Sequence, residues 1–211
     1  RPTAAFSTLG WFNDPILSTV LRADDVEVVT TVLHELSHNH LFVSGHVRFN
    51  ESFATFVGRV GAARFFCTRQ GGGPDTVKCN RAQARWRDYQ RFSVFVDRLV
   101  TELEDIYDDA DAPREEKLAQ RELVFTAALE RFDAELAPEL ENATFRGFRQ
   151  TPLNNATLLS RIRYYHRLPD FQALLDSHGG DLTAVMRALA AEAEGVEDPF
   201  DLLPRDNRGP R

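Results

Sequence analysis

The pentad His34-Glu35-Leu36-Ser37-His38 has the residue types and spacing for metal-dependent hydrolysis. Apolar residues recur around it at helical spacing, which predicts a helix. Residues four apart on a helix lie one above the other, so His34 and His38 can bind one zinc ion while Glu35 points to the side of it. Glu35 is therefore the candidate general base, which would take a proton from water and pass it to a leaving amine.

A third ligand is expected on a separate element, because a catalytic zinc takes three protein ligands and leaves a fourth position open. The segment 50–54, Asn-Glu-Ser-Phe-Ala, opens a second run with helical periodicity, and a turn around Ser44-Gly45 joins the two runs. A helix, a short connection and a returning helix would let Glu51 face the two histidines. The predicted ligands of one zinc ion are therefore His34, His38 and Glu51.

Two other histidines, His40 and His46, are alternative ligands. The third histidine of metzincin proteases lies six residues after the second, and position 44 here is Ser44, so that pattern fails. His46 lies on the turn and is expected to be exposed. Support for the ligand imidazoles would come from a carboxylate outside the pentad, and the candidates are Asp88, Asp97 and Glu104.

Length and composition favour one globular domain over residues 1–211. The chain has 211 residues, of which 43% are hydrophobic and 16 are Phe, so it can bury a sizeable core. Its net charge of -7 and pI near 5.4 argue against nucleic acid as a partner. No stretch approaches the ~20 apolar residues that a membrane span needs.

Two cysteines, Cys67 and Cys79, flank a Gly-rich loop. A disulfide could close this loop and would favour an oxidising compartment, whereas two unrelated buried thiols are the alternative. We expect a location in the bacterial periplasm or cell envelope, and attachment through a lipid on residues preceding Arg1 stays open.

The rest of the chain reads as helices that pack around the two motif helices. An aspartate, Asp24 or Asp25, can cap the first. Gly58 and Gly61 in the second predict close approach of another helix. Residues 80–136 predict a long antiparallel helical hairpin, and further helices follow Pro152, with a surface tail or partly disordered tail over about 195–211.

The two motifs together, H-E-x-x-H followed by N-E-x-x-A, resemble the gluzincin metallopeptidases, the thermolysin-like clan. In that clan the Glu of the second motif is the third zinc ligand, which corresponds to Glu51 here. The spacer between the motifs is shorter than in thermolysin. More closely, the chain resembles a bacterial family of predicted aminopeptidases in four segments: GWFNDPIL at 10–17, HELSHNHLFV at 34–43, FNESFATFVGRVG at 49–61 and PLNNATLL at 152–159.

The resemblance implies a mainly α, zincin-like fold with a short N-terminal edge strand. In thermolysin-like enzymes such a strand pairs with the extended substrate backbone, so the segment 4–12 with Gly10 and Trp11 becomes a candidate for substrate binding. A strand that only covers the core is the alternative. Asn154 and Asn155 could hydrogen-bond a substrate backbone or cap their helix.

A donor to the developing oxyanion is also implied, because gluzincins supply a Tyr or His from a downstream segment. The candidates are Tyr164, Tyr165 and His166. The family pattern favours Tyr165, since a Tyr follows the L-N-N-A segment at this distance. Both tyrosines could instead be half-buried aromatic residues.

The leading hypothesis is a zinc-dependent peptidase, and the resemblance narrows it to an aminopeptidase. One alternative is a non-catalytic helical module in which zinc stabilises the fold and the hairpin binds a protein partner. Another is a hydrolase of a non-peptide amide or ester. Glu35 argues against the module, because a structural zinc site needs no base and closes its fourth position with a protein ligand.

Overall fold

Eight α-helices form most of residues 22–205, the part of the chain that the computed structural model describes. This range contains no β-strand, so the predicted mainly helical class is confirmed there. The expected edge strand, with Gly10 and Trp11, lies outside the described residues. The helices are α1 Asp25–His38, α2 Val47–Thr68, α3 Val77–Asp108, α4 Arg114–Arg131, α5 Arg146–Gln150, α6 Asn155–Ile162, α7 Leu168–Ser177 and α8 Leu182–Glu192.

Helix α1 begins after Asp24, one of the two predicted caps. The Asp24 carboxylate accepts hydrogen bonds from the backbone N–H groups of Val26, at 3.1 Å, and Glu27, at 3.3 Å. These two groups have no partner within the helix, so the cap stabilises its first turn. The pentad lies in the last two turns of α1.

The buried side chain of Asn50 fixes the connection between α1 and α2. Its carbonyl oxygen accepts a hydrogen bond from the N–H of Val43 at 2.9 Å, and its amide donates to the Val43 carbonyl at 2.8 Å. Gly45, at φ 84°, supplies the left-handed turn that the connection requires. The chain therefore returns at a defined position, with Glu51 on the first turns of α2.

Helices α1 and α2 run antiparallel and approach closely, as Gly58 and Gly61 predict. A Cβ added at Gly58 would lie 2.7 Å from the carbonyl oxygen of Thr30 and 3.2 Å from Cβ of His34. At the next residue of α2, the buried Arg59 guanidinium donates to both carboxylate oxygens of Glu27, at 2.8 and 2.9 Å. The two contacts set the register of the helices from Glu27 to His34 of α1.

Helices α3 and α4 form the long antiparallel hairpin that the apolar pattern predicts. Near the turn, Lys117 donates a hydrogen bond to the carbonyl oxygen of Tyr107 at 2.8 Å. Farther from the turn, Arg131 forms an ion pair with Glu102 at 2.5 Å. The expected helix end near residue 136 is a π-helical turn, Phe132–Leu136, followed by a 3-10 turn, Ala137–Glu139. None of the helices within residues 22–205 has the length and hydropathy that a membrane crossing needs.

Aromatic side chains dominate two cores that meet at Tyr165. The first core lies between α2, α7 and α8, and the second lies between α3, α4 and α6. Tyr165 packs against both, so it joins them. Fully buried members of the first core are Phe49, Phe53, Phe56, Phe171 and Leu168, and those of the second are Phe92, Val96, Leu99, Phe148 and Ile162.

Of the alternatives for the cysteines, the structure shows the disulfide. Cys67 at the end of α2 is bonded to Cys79 at the start of α3, with 4.8 Å between their Cα atoms. The bond closes the Gly-rich loop and ties the helix that contains Glu51 to the hairpin.

The prediction of a surface or disordered tail is wrong for residues 199–203. Pro199–Leu202 forms a 3-10 turn that Asp198 caps, and Phe200 and Leu203 are 6% and 4% exposed in the first core. Arg167 donates to the Phe200 carbonyl oxygen at 3.0 Å. Phe200 and Leu203 lie in a Pro-rich segment without helical periodicity, so the sequence gives no sign of their burial. That burial depends on α7, which is distant in sequence.

Replacing Gly58 should damage the contact between α1 and α2, whereas replacing Gly61 should not. The added methyl group at Gly58 meets a backbone oxygen, but at Gly61 it meets only the movable end of Leu33, at 2.8 Å. We expect Gly58→Ala to lower the free energy of unfolding by about 1–3 kcal/mol. Gly61→Ala should be near neutral, because the clash is offset by the higher helix propensity of Ala, about 1 kcal/mol.

Chemical denaturation of the two variants, with circular dichroism as the probe, measures this difference. Equal stability of the two variants would contradict the assigned contact.

Candidate functional site

Three predicted ligands meet where α1 packs on the first turns of α2. Nε2 of His34 lies 3.2 Å from Oε2 of Glu51, and Nε2 of His38 lies 3.8 Å from the same oxygen. All three donor atoms lie within 4.8 Å of one another. We call His34, His38 and Glu51 the triad.

The triad fits one divalent metal ion such as zinc. Donor atoms held ~2.0–2.2 Å from a tetrahedral ion would be about 3.4 Å apart, close to the two separations that Glu51 makes. His38 is 9% exposed, and its Nδ1 has no hydrogen-bond partner among the described residues. Its other ring nitrogen, Nε2, faces Glu51 and is the atom that would bind the ion.

The electrostatics of the triad favour the protonation states that bind metal. Burial, and then the charge of His34, lower the pKa of His38 below its ordinary 6.5. Burial acts to raise the pKa of Glu51, but the hydrogen bond from His34 and the charges of His34, His38 and Arg163 together lower it. At neutral pH the site therefore presents a neutral His38 imidazole and an ionised carboxylate.

Glu35 and Tyr164 lie beside the triad. Glu35 is half-buried and follows His34 on α1, and the Tyr164 ring stacks on the His34 ring with 6.1 Å between centroids. The pKa of Tyr164 is raised by burial and then by the negative charges of Glu51 and Glu35, against the opposing charge of Arg163. Tyr164 thus keeps its proton at neutral pH close to both carboxylates.

Tyr165, the oxyanion donor favoured from the sequence, is not brought to the triad. Its ring packs edge-on against Phe92, at 4.8 Å between centroids, and lies 5.2 Å from the ring of Tyr89. Burial, and then Tyr89, raise its pKa well above the ordinary value. Adjacent side chains on the turn after α6 point in different directions, so the packing of Tyr165 against the two cores leaves Tyr164 at the site.

The two asparagines after Pro152 make local contacts instead of contacts with the triad. Asn154 caps α6, where its side chain accepts a hydrogen bond from the N–H of Thr157 at 3.0 Å. The Asn155 amide donates to the hydroxyl of Tyr107 at 2.8 Å, which ties α6 to the tip of the hairpin. Capping, one of the two roles considered, is thus what Asn154 does here.

The alternative ligands and supporting carboxylates also lie away from the triad. His40 is bonded to the carbonyl oxygen of Met186 at 3.1 Å. Asp88 is fully buried and accepts from the backbone N–H groups of 141–143, and Glu104 is exposed. Asp97 binds Nδ1 of His166 at 2.6 Å. Within residues 22–205, none of these carboxylates supports His34 or His38.

Ser52 is a positioning residue that the sequence did not reveal. It is fully buried next to Glu51, and its hydroxyl donates to the carbonyl oxygen of Arg163 at 3.1 Å and accepts from the N–H of His166 at 3.2 Å. These bonds fix the turn that contains Tyr164 against the helix that contains Glu51. The only sequence signal was the position of Ser52 inside the second motif.

Acid should destabilise the metal-free protein through His38. An unfolded chain binds a proton at His38 near pH 6.5, whereas the fold resists it, so stability should fall as the pH drops below about 6.5. The lowered pKa of Glu51 gives stability above its ordinary 4.5 that is lost as the pH falls through the lowered value.

Urea denaturation of chelator-treated protein between pH 7.5 and 5 measures the loss of stability that is assigned to His38. His38→Gln should flatten the pH dependence, and the exposed His40→Gln is the matched control. An unchanged slope in His38→Gln would contradict the assignment.

Sequence comparison assigns the chain to a family. The sequence profile of the family described as "Putative aminopeptidase" matches residues 1–197, a range that includes the triad, Glu35 and Tyr164. No curated protein and no solved structure matches the chain. The profile covers most of the 211 residues, and the chain therefore belongs to this aminopeptidase family.

Proposed function

We propose that the protein is a gluzincin-type zinc peptidase, and that it acts as an aminopeptidase. The carrying observation is the convergence of two imidazole nitrogens and one carboxylate oxygen within 4.8 Å, at the junction of two consecutive helices. This donor set is the one that catalytic zinc sites use, with a position left for water. The family description supports a peptide substrate and removal of N-terminal residues.

His34, His38 and Glu51 would hold the ion, which when bound supplies a Lewis acid that acidifies water and polarises a carbonyl group. Glu35 follows His34 on α1 and would lie to the side of the ion, where it accepts the proton of the attacking water. It then donates that proton to the leaving amine. The three ligands keep their positions because α1 and α2 are locked in register.

Tyr164 is the proposed donor to the carbonyl oxygen of the substrate. Its raised pKa keeps the hydroxyl protonated, and its ring is placed against His34. A neutral hydroxyl can donate a hydrogen bond as negative charge develops on that oxygen. Tyr165 is partly buried and packs against both cores instead.

The disulfide supports a location in an oxidising compartment. Disulfides persist in the periplasm and at the cell surface and are rare in the cytosol. We therefore retain the bacterial periplasm or cell envelope as the proposed location, with the Cys67–Cys79 bond as its support.

Replacement of Glu35 should separate metal binding from turnover. In Glu35→Gln we expect one zinc ion per chain, as in the wild type, and a fall in kcat of about 10²–10⁴, because the general base is lost. Metal analysis and digestion of a peptide library measure the two properties. Glu104→Gln, at an exposed position on α3, is the control.

Zinc bound by the wild type without cleavage of any peptide would contradict the proposal. That result would favour the non-catalytic zinc-stabilised module.

The two adjacent tyrosines should give opposite results. Tyr164→Phe should lower kcat by about 10²–10³ with stability nearly unchanged, since it removes the oxyanion donor. Tyr165→Phe should keep kcat and lower the free energy of unfolding by about 1 kcal/mol, because it removes a buried hydrogen bond with Tyr89. Steady-state kinetics and thermal unfolding of both variants test the pair. Loss of turnover in Tyr165→Phe alone would reverse the assignment.

A further inference from the structure

A cavity of about 600 Å³ lies beside the first turn of α2, and the proposed peptide hydrolysis does not use it. This volume is in the range of pockets that bind small ligands. Its apolar surface includes Phe49, Ile162 and Phe200, which are buried. Its polar groups come from α2, from the turn after α6 and from the C-terminal segment, and they are His46, Arg48, Arg163, His166, Glu197 and Asp198.

The cavity adjoins the triad through its two arginines, Arg48 and Arg163. Arg48 precedes Glu51 by three residues on α2, so both lie on the same side of that helix. The carbonyl oxygen of Arg163 is bound by Ser52, the neighbour of Glu51, and Arg163 directly precedes Tyr164. A peptide whose reacting bond lies at the triad would therefore have a neighbouring group within reach of this cavity.

Neither arginine forms an ion pair within residues 22–205, although the charge of Arg163 does act on Glu51. In contrast, Arg59 and Arg85 in the same range pair with Glu27. Two guanidinium groups without an ion pair in one cavity attract an anionic group of a ligand. A planar carboxylate is the group that matches guanidinium geometry best, through paired N–H donors.

The acidic residues of the cavity come from the C-terminal segment. The Asp198 carboxylate already accepts a hydrogen bond from the N–H of Phe200 at 2.9 Å, as the cap of the last 3-10 turn. Glu197 is exposed. His166 is bound through Nδ1 to Asp97 at 2.6 Å. Among the charged residues that line the cavity, the two arginines are thus the neighbours of the triad in the chain.

We propose that this cavity is a substrate subsite in which Arg48 and Arg163 bind a carboxylate of the peptide. The inference rests on the proposed function for the placement of the peptide, but the binding it describes does not require turnover. The carboxylate comes either from an acidic side chain or from the C-terminus of a short peptide, and the chemistry of recognition is the same.

Three matched pairs of alanine-based tetrapeptides identify the source. Each pair differs in one group: Glu or Gln at the first position, Glu or Gln at the third, and a free or amidated C-terminus. Calorimetric titration of the metal-free protein gives Kd, and kinetics of the zinc-loaded protein give kcat and KM.

We expect at least one pair to favour the carboxylate by about tenfold in Kd and in KM, with little change in kcat. Arg48→Gln and Arg163→Gln should remove this preference, and Arg48→Lys should restore part of it. Arg187→Gln, at an exposed position on α8 outside the cavity, should keep it. Zinc content and thermal unfolding of Arg163→Gln show whether the nearby triad and the fold are intact.

Binding of all three pairs within about twofold would overturn the proposal, as would a preference that survives in both Arg48→Gln and Arg163→Gln. A preference for Lys over norleucine that Glu197→Gln removes would overturn it in favour of a cationic ligand. If no peptide is cleaved while the carboxylate preference in Kd persists, the peptidase assignment fails and the subsite stands. If peptides are cleaved without any preference for the carboxylate, the subsite is wrong and the peptidase assignment stands.

Discussion

Helix α2 approaches α1 so closely at Gly58 that an added Cβ would lie 2.7 Å from a backbone oxygen of α1. Cβ of His34 would lie 3.2 Å from the same added Cβ. Because Glu51 lies two turns before Gly58 on α2, the packing distance between the helices sets how far its carboxylate stands from the imidazoles. Site geometry is therefore a consequence of backbone packing and does not depend on side-chain choice alone.

Two polar anchors keep this contact from sliding. On one side, the buried Arg59 links the helices by two hydrogen bonds to the partly exposed Glu27, and removal of Glu27 would leave the buried guanidinium without its carboxylate. On the other side, Asn50 fixes the connection through both backbone groups of Val43. The anchors lie on opposite sides of the triad, so the ligands sit on the most constrained part of α1 and α2.

The sequence predicted what depends on local geometry. His34 and His38 are one helical turn apart whatever the rest of the chain does, and a short turn limits where Glu51 can lie. The choice between Tyr164 and Tyr165 was different, because it depends on which side chain the two aromatic cores accept. Burial of Phe200 likewise depends on α7, which is distant in sequence.

Long-range contacts also decide which polar residues support the site. Asp97 was one of three candidate partners for the ligand histidines, yet it binds His166 and the N–H of Arg167. Ser52 then links His166 and Arg163 to α2. This chain of hydrogen bonds positions Tyr164, and no periodicity or motif spacing in the sequence could have specified it.

A crystal structure of the zinc-loaded protein, with anomalous data collected at the zinc edge, tests the central claim most directly. The account predicts one anomalous peak, ~2.0–2.2 Å from Nε2 of His34, Nε2 of His38 and a carboxylate oxygen of Glu51, with a solvent molecule in the remaining position. A zinc ion bound elsewhere, or one whose fourth position is closed by a protein side chain, would contradict it.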